Sequence, residues 1–179
     1  MQKSHKSISE GFTLIETILY VALIVIMLSA LLPFSLVMIS NAAKSSTDQE
    51  VYSAAQYVSE ELLYQIRNAS SVNIGSSSFG TDFVASSGAM LSLAETSSTV
   101  NPTTIKVASG TLVMTRGTSS AVSLNSSLTS VASLIFSNYS TNTFNNIGFI
   151  LTVSDSYTST KNEYVASTTI KTSAELRGK

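Results

Sequence analysis

Glu16 is the only charged residue between Phe12 and Ile39, in the stretch "FTLIETILYVALIVIMLSALLPFSLVMI". It stands five residues after Gly11 and directly behind a Gly-Phe pair. A lone carboxylate near a bilayer core would be costly. Elsewhere the residues that could do chemistry are sparse. The chain has no cysteine and a single histidine, His5. Disulfides and thiolate metal sites are therefore excluded. The usual Ser-His-acid relay has no imidazole in the body of the chain, which leaves only a Ser-Lys pair as a formal nucleophile. Asp155 and Glu163 could bracket a metal in a loop, but two carboxylates eight apart more often mark a solvated turn. No Gly-rich phosphate loop is present. Neither a catalytic residue, a metal nor a cofactor is expected.

Charge argues against nucleic acid as a partner. The net charge is -1, from 10 Lys and Arg against 11 Asp and Glu. Phosphate binding needs clustered bases, and the one small patch, Lys171, Arg177 and Lys179, reads as an ordinary charged terminus. Charged residues make up 12% of the chain, against about 25% in typical globular domains. The apolar run and a Ser/Thr-rich remainder explain the deficit.

The elements that must position Glu16 follow from pattern. Residues Ile18 to Ile39 carry no charge, and about 20 residues suffice to cross a bilayer as a helix. Lys3 and Lys6 precede the run, so the positive-inside tendency puts the first residues in the cytoplasm and everything after Ser40 outside. Val51, Ala55, Val58, Leu62 and Ile66 recur at helical spacing, with Glu60 and Glu61 assigned to the opposite side. One helix from Phe12 to about Arg67 would be on the order of 80 Å long. Pro33 lacks an N–H for the Ser29 carbonyl, which predicts a kink or a locally melted turn between them.

Beyond Val72 the pattern is β. Strands are expected at 104–108, 111–116, 121–125, 132–140, 147–155 and 164–176. Ile147, Phe149, Leu151 and Val153 alternate as in a half-buried strand. Ser109-Gly110 reads as a tight hairpin turn, and the Thr-rich last segment as an edge strand. "IGSSSFGTDFVASSG" and "AETSSTVNPTT" read as surface loops. Asn68, Asn125 and Asn138 open Asn-x-Ser triplets, which chance supplies freely in a Ser-rich chain. There is no internal repeat.

Three readings of the amino-terminal segment compete on residues alone. A secretory signal peptide would be cut after "SNA", before Ala43, but the apolar run exceeds the usual length of about 7–15 residues and carries Glu16. A plain anchor accounts for the length and leaves Glu16 as an accident eased by the helix dipole. In the third, the Gly-Phe junction is processed and the carboxylate is a docking group.

The third reading has a specific resemblance behind it. Gly11-Phe12-Thr13-Leu14-Ile15-Glu16 resembles the processing motif of type IV prepilins and type II secretion pseudopilins, over roughly residues 1–40. The resemblance implies cleavage between Gly11 and Phe12 by a prepilin peptidase/methyltransferase, with N-methylation of Phe12. It implies that Glu16 meets the new amine of a neighbouring subunit during assembly, and that Pro33 is the helix-loosening proline of many pilins. Its other implied partners are pilin or pseudopilin subunits, an inner-membrane assembly platform and, before assembly, membrane lipid. A looser likeness over residues 62–177 favours a minor subunit. The Cys-bounded loop of many major pilins and the calcium-site loop of major pseudopilins are not evident.

The implied fold is α+β, a long N-terminal helix on an antiparallel β-sheet domain. Residues 1–11 would be a cytoplasmic leader, 12–39 a transmembrane or filament-core helix, 40–70 its amphipathic continuation, and 71–179 a β-rich extracytoplasmic domain. The protein would pass the inner membrane once and then enter a pilus or pseudopilus, on the cell surface or in the periplasm. It would be a substrate, not an enzyme. The rivals are an uncut membrane-anchored surface binding module and a secreted binding protein.

Overall fold

A computed structural model describes residues 11–141, 145–157 and 161–177. His5, Lys3, Lys6 and Lys179, named above, lie outside the described residues. The chain is α+β, and its contacts divide it into two units, residues 1–42 and 43–179.

Helix α1, Leu14–Asn68, contributes to both units. In the first unit its large apolar side chains are exposed. An 18-residue window reaches a mean hydropathy of 2.7 with none of it buried, so the helix is long and apolar enough to cross a membrane. The helix is unbroken through Pro33, so the locally melted turn expected there is absent. The hydroxyls of Ser29, Ser35 and Ser40 donate to the carbonyls of Ile26, Leu31 and Val37 at 2.7–3.0 Å. They are thus satisfied within the helix.

In the second unit α1 buries one stripe. Val51, Ala55, Val58, Leu62 and Ile66 are the residues that the periodicity picks out, and each is buried. Glu61 corrects the reading of that stripe. It lies half-buried on the flank rather than opposite, and pairs with Arg116. The helix ends where the sheet captures the backbone, since the Ser70 N–H and hydroxyl both donate to the Ala94 carbonyl.

Two antiparallel sheets follow in simple meander order. The first joins β1 (Ser71–Val72), β2 (Met90–Ala94), β3 (Thr103–Ala108), β4 (Thr111–Arg116) and β5 (Val122–Ser123). The second joins β6 (Thr129–Asn138), β7 (Asn146–Asp155) and β8 (Ser167–Glu175). Strands β1 and β2 fall where no strand was expected, and the strand read at 121–125 is only two residues long. The strand read from 132 starts at Thr129. A bulge explains the misreading, because the register slips between Val131 and Ser133. Before it Thr129 and Val131 are buried, and after it Leu134 and Phe136 are. One inserted residue moves the side chains to the other parity.

The segment read as the loop "IGSSSFGTDFVASSG" is partly core. Phe83 is 2% exposed and its ring lies 5.1 Å from that of Phe136. The N–H groups of Gly80 and Phe83 donate to the carbonyls of Phe136 and Leu134, so this segment covers the outer edge of β6. The hairpin at Ser109-Gly110 is as expected. Both residues have positive φ, 49° and 75°, between the paired Ala108 and Thr111, the form that matches strand twist.

Strand β8 is the edge of its sheet. Its even-numbered residues exchange hydrogen bonds with β7, as fixed by Asp155 N–H to Ala166 O at 3.1 Å and Leu176 N–H to Asn145 O at 2.9 Å. The odd-numbered backbone groups therefore point outward. At the two ends, Lys44 Nζ donates to the Val165 carbonyl and the Arg177 N–H donates to the Arg67 carbonyl at 3.1 Å.

Candidate functional site

Gly11, Phe12 and Glu16, singled out by the sequence, lie at the foot of α1. Gly11, Phe12 and Thr13 precede the helix and are exposed. A Cβ placed on Gly11 would meet nothing within 4 Å. Gly11 and Phe12 thus lie outside the helix and exposed.

Thr13 caps the helix. Its Oγ1 accepts from the Glu16 N–H at 3.3 Å, and its carbonyl accepts from Glu16 and Thr17 N–H at 3.1 and 3.2 Å. Thr13 and Glu16 have the Thr-x-x-Glu spacing of a capping box, a signal in the sequence that the reading above did not use. Only half of the box forms. The Glu16 carboxylate is directed forward, toward the Tyr20 hydroxyl at 3.4 Å. Phe12 completes the group, its ring edge-on to that of Tyr20 with centroids 6.2 Å apart. Tyr20 therefore meets both Phe12 and Glu16, and Thr13 caps the turn that carries them. Pro33 is remote from this group, 17 residues further along the same helix.

A second polar cluster sits in the 43–179 unit. Arg116 donates to Glu61 at 3.1 Å, and Gln65 donates to the same carboxylate oxygen at 2.5 Å. Arg116 also faces Glu95. Burial pushes the Glu95 carboxyl above its usual range, and the Arg116 charge offsets part of that. Glu95 and Arg116, with Tyr64, Gln65, Asn68, Val100 and Thr103, line a cavity of about 250 Å³. The Arg116–Glu61 pair joins β4 to α1 as a structural clasp.

Asp155 and Asn125, both considered in the sequence, are engaged within the fold. Asp155 accepts from the Ala166 N–H at 2.8 Å, which occupies it in closing its own loop. Among the described residues no three His, Asp or Glu side chains are grouped as metal ligands. Asn125 is used internally: its Oδ1 accepts from the Leu112 N–H at 2.7 Å and its Nδ2 donates to the Thr129 carbonyl at 2.7 Å. Lys171 and Arg177 are exposed. Comparison with protein-family models, curated proteins and solved structures gives no match.

Proposed function

We propose that this chain is a minor pilin or pseudopilin, a structural subunit cut after Gly11, methylated on Phe12 and assembled into a filament through α1. It would work without catalysis, as a substrate of the peptidase and then as a building block held by other subunits and an assembly platform. The observation that carries this reading is the lone carboxylate of Glu16, on the first turn of a membrane-length apolar helix, just behind an exposed and non-helical Gly11-Phe12 junction. The α+β layout agrees with what the resemblance implies.

The chemistry is a matter of charge placement. A carboxylate in hydrocarbon is costly. Cleavage would expose an amine that stays positive after methylation. Pairing Glu16 of one subunit with that amine on another would offset the cost as both helices leave lipid, and would mark a register among otherwise uniform Leu, Ile and Val contacts.

The test is the intact mass and amino-terminal peptide of the protein taken from membranes of its own host. A chain starting at methylated Phe12 is expected. Gly11→Val should accumulate uncut, whereas Glu16→Ala should be cut but enter filaments poorly. A wild-type chain that keeps Lys3 would replace this reading with the anchored binding module, and one starting near Ala43 with the secreted protein.

A further inference from the structure

From Gly11 to Ile39, Glu16 is the one residue whose surface is partly covered; the others are all exposed. Among the described residues, the side-chain partner of its carboxylate is on its own helix. Phe12, Glu16 and Tyr20 follow at spacings of four and so share a face. The Tyr20 hydroxyl lies 3.4 Å from Glu16 Oε1, and the Tyr20 ring is steadied edge-on by Phe12 at 6.2 Å. Glu16 had another use available, since its carboxylate could reach back to the Thr13 N–H and close the capping box. Among the described residues no such bond is present. The carboxylate is instead turned to the tyrosine.

We propose that Tyr20 is a positioning residue for Glu16, its hydroxyl holding the carboxylate on the Phe12 face until the alkylammonium of a neighbouring subunit takes it over. This rests on the filament reading above. In lipid no water can donate to the carboxylate, and Tyr20 supplies an O–H from within the same chain. At 3.4 Å the bond is longer than a full-strength O–H···O contact, so the carboxylate is oriented but remains exchangeable. A tighter internal bond would compete with the incoming amine. Phe12 gives the arrangement its direction, because the residue that would carry the new amine also sets the ring that carries the donor.

A tyrosine near a membrane surface also has a bland role, as an interfacial anchor. The test therefore separates hydroxyl from packing with a double-mutant cycle. Wild type, Tyr20→Phe, Glu16→Ala and the double variant are expressed as full chains in the native host. Each is measured for its amino-terminal mass and for its fraction in sheared filaments, quantified by mass spectrometry so that low values stay measurable. All four should be cut. Tyr20→Phe should lower incorporation roughly three- to tenfold when Glu16 is present, the scale of one ordinary net hydrogen bond, as the long contact warrants. It should change nothing further in the Glu16→Ala background. Equal losses in both backgrounds, or no loss in either, would overturn the role of Tyr20 and leave the filament reading intact. A wild-type chain not cut after Gly11 would remove the filament reading and this inference with it.

Discussion

Asp82 shows how one carboxylate can hold a segment that has no regular structure. Its Oδ1 accepts from the Val84 and Leu134 N–H groups at 3.0 and 3.2 Å. Burial works against its ionised form, but these bonds and one from the Ser133 hydroxyl outweigh it and hold the carboxyl below its usual range. A depressed folded value means that the unfolded chain takes up the proton first. The stabilisation is thus complete above the unfolded value, near pH 4, and is lost as pH falls from there through the lower folded one. Asp82→Ala should cost roughly 1–3 kcal/mol at pH 7, read by urea unfolding. Asp82→Asn should flatten the fall in melting temperature below about pH 4. An equally steep fall in that variant would mean that other carboxylates carry the acid response. Neither role was legible in the sequence, because Leu134 is 52 positions away. Asn125 teaches the same lesson: its triplet is plain in the sequence, but the partners that occupy its amide are set by the fold. Glu16 was legible because a charge in an apolar run needs no partner to be noticed.

At the scale of elements, the helix and the long strands were readable because burial leaves a period in the sequence. The buried stripe of α1 and the alternation of β7 are such periods. Strand β2 left none: in "MLSLA" Leu91, Ser92 and Leu93 are all buried, so the run is too short and too uniform to differ from a loop. The β6 bulge hid three residues by reversing the alternation. Turn chemistry was more dependable. Gly110 has a φ of 75°, and a Cβ there would strike the Ser130 hydroxyl of β6. Gly110→Ala combines left-handed strain with that clash and should cost about 1–3 kcal/mol. The expected sign is a lower urea midpoint with an unchanged m-value. A variant as stable as wild type would show that the Ser130 side chain yields freely and the turn carries no strain.

For the whole molecule, the apolar run announced itself by composition, but the boundary between units did not. The helix passes through it, and only contacts far apart in sequence define it. Among the described residues the first buried one is Thr47, and all of the core lies beyond it. Residues 43–179 should therefore fold without the rest. Expressed alone, that piece is expected to stay soluble without detergent and to melt cooperatively. Its melting temperature should lie within about 3 °C of the same transition in the full chain held in detergent, a shift worth roughly 1 kcal/mol. A molten or aggregating piece would mean that residues before 43 carry part of its stability.

The outer edge of β8 has a consequence for crowding. Ser167, Thr169, Lys171, Ser173 and Glu175 turn their N–H and C=O groups outward, and no described residue takes them up. Such an edge is a template for aggregation between copies. Lys171 is the middle residue of the strand. Two copies meeting antiparallel, edge to edge about their centres, would set one ammonium against the other. That repulsion would work against such pairing, so Lys171→Thr should make the domain more prone to associate through this edge at high concentration, read by light scattering.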